Sequence, residues 1–240
     1  MEKKKERKIN LIGLFVIILV VYLTASFLYY LMSKPIKNIY IDGNTYVSDA
    51  TIIELAGIKD YPSMIKVSRS KLKKKLKSNP YIDGAKIKKK LNGTIEITVN
   101  ESKPLFYNRN SKKLVLLNKN EVDDNKNVSV PSLINIVPND LYGSLIEAFN
   151  KVNYDIILQI SEIEYSPDVI NGKTIDQERF LLRMNDGNSV YINPVNIKRL
   201  NNYFKAYDKL PDNVKGIFYF DSNSNNNMFK IYGQSEASEV

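Results

Sequence analysis

The chain has no cysteine, no histidine and no tryptophan among its 240 residues. Without Cys or His it offers no thiolate or imidazole metal ligand, no Cys nucleophile, and no Ser-His-Asp or Cys-His pair. Disulfides are excluded as well. Acidic residues are outnumbered, 26 against 35 Lys and Arg, which leaves a net charge of +9. What is present, 43% hydrophobic and 25% charged residues, reads as folded protein rather than a disordered tail. The length suits one anchor with one or two small domains.

Residues Ile9 to Met32 contain no Asp, Glu, Lys or Arg. As a helix they reach roughly 36 Å, enough to cross a bilayer. Lys3, Lys4, Lys5, Arg7 and Lys8 precede the run, whereas Lys34 and Lys37 are the nearby bases beyond it. This asymmetry keeps the N-terminus inside and sends the rest of the chain outside. Tyr22, Tyr29 and Tyr30 suit the outer interface. A cleaved signal peptide is the competing reading, with Thr24, Ala25 and Ser26 at the cut, but Phe27 to Met32 prolong the apolar run beyond what such a peptide needs.

After a linker containing Pro35, Ile39 and Ile41 alternate with Tyr40 and Asp42 before Gly43-Asn44, a strand and a turn. Ser48 caps a helix over Asp49 to Ala56 that Gly57 stops. A second helix fits Arg69 to Lys77, with Leu72 and Leu76 on one face and lysines around the rest, and Pro80 prevents its continuation. Ala85 and Ile87, then Ile95, Ile97 and Val99, alternate on either side of Asn92-Gly93, which predicts a hairpin with a type I′ turn. The order strand, helix, helix, strand, strand makes a small sheet with two helices on one face.

From 104 onward strands predominate, expected at Pro104 to Arg109, Leu114 to Leu117, Ile156 to Tyr165, Glu178 to Met184, Ser189 to Ile192, Gly216 to Phe220 and Met228 to Tyr232. Asp186-Gly187 is expected to turn a hairpin. Two amphipathic helices interrupt, near Leu141 to Lys151 and Val195 to Leu210. In the tail from Asp221 only Met228 to Tyr232 has the pattern of an ordered element. There is no internal repeat.

Catalytic motifs are weak. Ser70 with Lys73, Ser68 with Lys71 and Ser63 with Lys66 fit S-x-x-K, but the S-D-N and K-T-G partners of such a nucleophile are missing and a Lys-rich stretch yields these matches by chance. Gly172-Lys173-Thr174 lacks the first glycine of a P-loop, Pro167 standing there. Asp123-Asp124 and Glu162 with Glu164 are the carboxylate pairs, in a loop and on a strand face where solvent exposure is the ordinary outcome. Asn92-Gly93-Thr94 and Asn127-Val128-Ser129 fit a glycosylation sequon, which counts only in a eukaryotic secretory setting. No cofactor is implied.

Three segments resemble the bacterial cell-division family of FtsQ and DivIB: Ile39-Tyr40-Ile41-Asp42-Gly43-Asn44 after the anchor, Asn79-Pro80-Tyr81-Ile82 with Ala85 and Ile87, and Thr94 to Val99 with Glu101 and Pro104. Together they are similar to that family's POTRA domain. Val130-Pro131, Asn185-Asp186-Gly187-Asn188 before Val190-Tyr191, the helix starting near Pro194 and Gly216 to Asp221 are similar to its β domain. The resemblance implies an α+β protein: a cytoplasmic tail (1–8), one transmembrane helix (9–32), a POTRA domain of β-α-α-β-β order (33–103), a mainly β domain with two helices (104–220), and a tail (221–240). It implies a non-enzymatic division scaffold or regulator in the plasma membrane at the septum. Its partners would be DivIC/FtsB-like and FtsL-like single-span proteins, with the septal penicillin-binding proteins that make peptidoglycan. Strand addition by the partner maps onto Ile217, Phe218, Tyr219 and Phe220, with Phe229 and Tyr232 beyond, about half of them facing the domain's own core. The alternative is a POTRA-bearing component of polypeptide secretion or membrane-protein insertion.

Lys66 to Lys90 carries 11 Lys/Arg against one acid, Asp83, a local +10 that exceeds the charge of the whole chain. An extracytoplasmic placement argues against nucleic acid. The candidate contacts are Lys71, Lys73, Lys74, Lys75, Lys77, Lys88, Lys89 and Lys90, toward anionic lipid, teichoic acid or an acidic partner. The plain alternative is a solvated face.

Overall fold

The computed structural model describes residues 10–124, 128–211, 213–222, 228–234 and 236–239. The basic flank 1–8, Ile9, Asn127 and parts of the tail lie outside them. The chain divides into two compact units, Met1–Glu101 and Ser102–Val240.

The first unit opens with α1, Leu11–Ser33, none of whose residues is buried. Two of its hydroxyls bond back onto the helix, which suits a hydrocarbon surrounding: Thr24 donates to the Val20 carbonyl at 2.9 Å and Ser33 to that of Tyr29 at 2.8 Å. β1, Asn38–Asp42, runs into Gly43, whose φ is +81° and whose missing Cβ would lie 2.3 Å from the Val99 carbonyl oxygen. Only glycine fits there.

Ser48 caps α2, Asp49–Ala56, and Gly57 ends it in the left-handed region. Ser68 caps α3, Arg69–Leu76. β2, Ile82–Lys89, and β3, Thr94–Glu101, complete a three-stranded sheet among the described residues, in the order β1-β3-β2 with β1 parallel to the central β3. Ile52 and Ala56 of α2 and Leu72 and Leu76 of α3 are buried in one core with Ile87, Ile95, Ile97 and Val99 of the sheet.

One carboxylate closes this layer. Glu101, at the end of β3, accepts from the backbone N–H groups of Thr45 and Tyr46 (2.7 Å each) and Val47 (2.8 Å) in the turn after β1. Glu101→Gln keeps the shape but turns an amide N–H toward other N–H groups. We expect it to cost about 2 kcal/mol, read as a lowered Tm. An unchanged Tm would show that the clamp contributes nothing.

The second unit runs β4 (Pro104–Asn108), β5 (Lys113–Leu116), β6 (Glu121–Val122), β7 (Ser132–Leu133), α4 (Asn139–Phe149), α5 (Tyr154–Ile157) and β8 (Ile160–Tyr165). A ribbon of β9 (Asp168–Ile170) and β10 (Lys173–Asp176) follows, then β11 (Phe180–Met184), β12 (Ser189–Ile192), a 3₁₀ helix (Ile197–Asn202), α6 (Tyr203–Tyr207), β13 (Gly216–Tyr219), β14 (Met228–Ile231) and β15 (Ser238–Glu239). Among the described residues ten strands form one sheet, ordered β15-β14-β13-β12-β11-β8-β7-β4-β5-β6. Phe149 of α4, Leu200 of the 3₁₀ helix and Tyr203 of α6 are buried with the inward side chains Phe106, Phe180, Leu182, Val190 and Phe218.

Several local expectations change. Both hairpins close with three residues instead of a two-residue I′ turn. Lys90 N–H bonds the Thr94 carbonyl and Met184 N–H that of Asn188, and only Gly93 and Gly187 take positive φ. The run expected as a strand from Ile156 begins as α5, because consecutive apolar residues fit a helical turn as well as a strand. The helix expected over Val195 to Leu210 is a 3₁₀ segment continued by a short α6. The strand expected at Met228 to Tyr232 forms as β14, and β15 adds a second strand from the tail that was not expected.

Candidate interaction surfaces

The aromatic run at 217–220 does not form a free edge. β13 is parallel to β12 on one side and antiparallel to β14 on the other, so its backbone groups are engaged in both ladders. Strand addition directly onto β13 is thereby ruled out. Alternation sends Phe218 into the core, with ring centroids 5.4 Å from Tyr203 and 4.6 Å from Phe229. Phe218, Phe220 and Phe229 are 0%, 0% and 2% exposed and are core residues, a correction to their expected partner role.

Ile217 and Tyr219 take the opposite face and stay half-buried, while Tyr232 is exposed and its hydroxyl meets that of Ser189 at 2.8 Å. Register carries this face across four strands: Leu181 pairs with Tyr191, Tyr191 with Tyr219, and Tyr219 with Met228. All four are half-buried. Tyr191 lies 5.5 Å from Tyr219 and under the Arg179 guanidinium at 4.3 Å. Burial, then the neighbouring Tyr191, raises the Tyr219 hydroxyl above its ordinary pKa. Leu181, Tyr191 and Met228 escaped the sequence reading. The alternation of Ser189 to Ile192 signalled a half-exposed strand, but not that Tyr191 and Tyr219 are cross-strand neighbours.

A groove of about 680 Å³ opens beside this strip, lined among others by Asp168, Ile175, Asp176, Tyr219 and Asp221. Its acids are largely engaged in holding the fold. Asp168 pairs with Arg179 at 3.1 Å, and Asp176 accepts from the Asn193 amide at 2.8 Å. Burial pushes the Asp221 carboxyl above the usual range.

At the sheet's end, β15 pairs with β14 only at Glu239 with Met228 and Ser238 with Phe229. Lys230 and Ile231 have no strand partner on that side among the described residues. A two-residue cover with no large apolar side chain on the described Ala237 and Ser238 holds this edge weakly.

The lysine cluster is not one surface. Lys71, Lys73, Lys74 and Lys75 are exposed on α3, whose Leu72 and Leu76 face the core, and Lys77 is exposed at its C-cap. Lys88 projects from β2 opposite the buried Ile87, on the other side of the sheet from the helices. Lys90 is paired with Glu96. Lys89 is half-buried and donates to the Met64 carbonyl at 2.7 Å.

Two of the three serines of the S-x-x-K matches have local work: Ser68 caps α3, and Ser63 lies in an isolated bridge with Pro35. Gly172 to Thr174 belong to the turn and second strand of the β9–β10 ribbon, with no helix following. Glu162 and Glu164, expected to face solvent, are half-buried in an ion-pair network. Arg183 reaches both at 3.3 and 3.0 Å, and Arg109 reaches Glu162 at 3.3 Å. Asp123 pairs with Lys113 at 2.5 Å. Among the described residues no group of three or more acids is placed to hold a metal ion.

Residues 34–102 match the family described as POTRA domain, FtsQ-type. Cell division protein DivIB of Bacillus subtilis (strain 168) is 27% identical over 235 residues, which is 92% of this chain and 82% of that protein. DivIB of Bacillus anthracis is 28% identical over 210 residues, 84% of this chain and 77% of its own. The major extracytoplasmic domain of DivIB from Geobacillus stearothermophilus aligns with 45% of this chain and 89% of its own at 18% identity and a TM-score of 0.34. An apolar helix, a segment that matches the FtsQ-type POTRA domain and a mostly β second unit follow one another, and over most of its length the chain is similar to DivIB cell-division proteins.

Proposed function

We propose that this protein is a non-enzymatic scaffold of the bacterial division machinery. It is held in the plasma membrane at the septum by α1, with the POTRA domain (33–103) and the β domain outside. It binds DivIC/FtsB-like and FtsL-like single-span proteins and through them helps control the septal penicillin-binding proteins. The observation that carries this reading is the end of the second sheet. There the Leu181, Tyr191, Tyr219 and Met228 strip lies beside an edge, β14, covered for two residues only. A partner strand pairing with β14 gains backbone hydrogen bonds, and its neighbouring segment gains the aromatic strip.

The revised contact set is therefore Ile217, Tyr219 and Tyr232 of the expected residues, joined by Leu181, Tyr191 and Met228. The test is co-purification of the membrane-embedded chain with the DivIC- and FtsL-like proteins of the same bacterium. Tyr219→Asp should weaken the complex roughly tenfold or more with a small change in Tm, as expected of an aromatic interface anchor. Unchanged affinity removes the strip from the interface. Failure of the parent chain to retain either partner overturns the scaffold reading.

A further inference from the structure

The loop Lys59 to Lys66 of the POTRA domain is tied to the segment in which α1 ends. The Ile65 N–H donates to the Met32 carbonyl at 2.8 Å, Met64 N–H to that of Lys34 at 3.1 Å, and Ile36 N–H to that of Pro62 at 3.1 Å. Pro35 and Ser63 form a β-bridge between the same two stretches.

This fixes the depth of the loop. The apolar part of α1 from Leu11 to Met32 spans roughly 33 Å as a helix, against a hydrocarbon core of about 30 Å. Met32 therefore stands at the outer boundary of the hydrocarbon, and Ile65 stands one hydrogen bond away. Tyr30 marks the same level, with the Lys34 ammonium 4.5 Å above its ring.

At that depth the loop presents the residues that the headgroup region favours. Ile65 and Tyr61 are 47% and 49% exposed, although their neighbours Met64 and Ile58 are buried. Lys59, Lys66 and Arg69 are exposed around them, with Asp60 the one acid between residues 59 and 69. The Lys89 ammonium joins them at the Met64 carbonyl, held below its usual pKa by burial first and by the Arg69 charge second. Positive charge here outnumbers the single acid, Asp60. Each Lys or Arg at an anionic surface contributes about 1 kcal/mol of attraction. Aliphatic and aromatic side chains placed at this level gain by leaving water.

We infer that the 59–66 loop is a second membrane contact, separate from α1. Tyr61 and Ile65 insert between the headgroups of the outer leaflet, and Lys34, Lys59, Lys66 and Arg69 bind the phosphates of anionic phospholipid. The α3 lysines take no part. The inference rests on α1 crossing the bilayer and is independent of which proteins the β domain binds.

The lack of tryptophan makes the test direct, because Ile65→Trp introduces the sole indole at a site that is already exposed. The full chain is reconstituted into phosphatidylcholine vesicles whose lipids are brominated near the glycerol end of the acyl chains, with or without phosphatidylglycerol. Leu19→Trp, in the middle of α1, reports insertion in parallel vesicles whose lipids are instead brominated near the methyl end of the acyl chains. Quenching of the Ile65→Trp indole is expected, roughly doubling when phosphatidylglycerol is present, and Lys59→Gln with Lys66→Gln should abolish that increase. Tyr61→Trp should behave alike. An unquenched loop beside a quenched Leu19→Trp overturns the membrane seat, and quenching indifferent to phosphatidylglycerol overturns the anionic contact. An unquenched Leu19→Trp instead removes the spanning reading on which the inference stands.

Discussion

Phe218→Ala is expected to destabilise the second unit by about 3 to 5 kcal/mol, the range for truncating a fully buried Phe. The side chain is 0% exposed and touches the rings of Tyr203, Phe220 and Phe229 at centroid distances of 5.4, 5.6 and 4.6 Å. These rings come from a helix, the end of β13 and β14, so the vacated volume cannot close by one side chain turning. Gly216 adds to the constraint. A Cβ there would lie 2.1 Å from the Lys230 carbonyl oxygen, so β13 and β14 approach too closely to rearrange. Unfolding followed by the near-UV signal of the tyrosines measures the loss. Tyr219→Ala, one residue on and on the opposite face, should cost under about 1 kcal/mol by the same measurement. If the two variants lose equal stability, the two-faced reading of β13 is wrong. The same comparison separates core damage from interface damage, since a charge at Phe218 would abolish partner binding by unfolding the domain that presents the interface.

The first unit was legible in the sequence because each of its signals is local. Ser48 and Gly57 bracket α2 as caps, Ser68 and Pro80 bound α3, and the alternation of Ile95, Ile97 and Val99 names the buried face of the central strand. Turn geometry was less legible. Asn-Gly and Asp-Gly fit a two-residue turn, yet a third loop residue ahead of each glycine lets the glycine alone carry positive φ.

The second unit resisted for a different reason. Strands such as Ser132–Leu133 and Ser238–Glu239 are two residues long and carry no periodicity, and they exist because longer neighbours hold them. Strand order is likewise a tertiary property. Gly216 to Phe220 was expected to accept a partner strand, but β14, itself an expected strand, pairs along it and β15 lies beyond, so the expected edge is sheet interior. The lysine run shows the same limit from the side of charge. Adjacent positions in sequence go to an outer helix face, to the far side of a sheet and, for Lys89, into the loop beside the membrane anchor.

Asn188→Ala should cost about 3 kcal/mol, a drop of roughly 10 °C in Tm for a chain of this size, although it removes only a small polar side chain. Asn188 follows a hairpin turn in the sequence, and nothing there distinguishes it from a turn residue. In the fold it is 1% exposed. Its side-chain Oδ1 accepts the Gly216 N–H at 3.0 Å, and its side-chain Nδ2 donates to the Tyr203 hydroxyl and to Asp186, both at 3.2 Å. Tyr203 in turn donates to Asp186 at 2.6 Å. Burial first, and that bond second, raise the Tyr203 hydroxyl well above its ordinary pKa. One carboxamide thus joins the β11–β12 hairpin, α6 and β13, and its loss leaves the buried Gly216 N–H with neither partner nor water. Asn188→Asp supplies the control. It keeps an acceptor for Gly216 but sets a carboxylate against Asp186, so protonation of the new group is favoured in the folded state over the unfolded one. A folded-state pKa raised in this way makes stability fall as pH rises through it. The Asn188→Asp deficit should therefore shrink in acid and be largest at neutral pH, whereas that of Asn188→Ala should vary little. Equal deficits at both pH values would mean that the amide does not face Asp186 in solution.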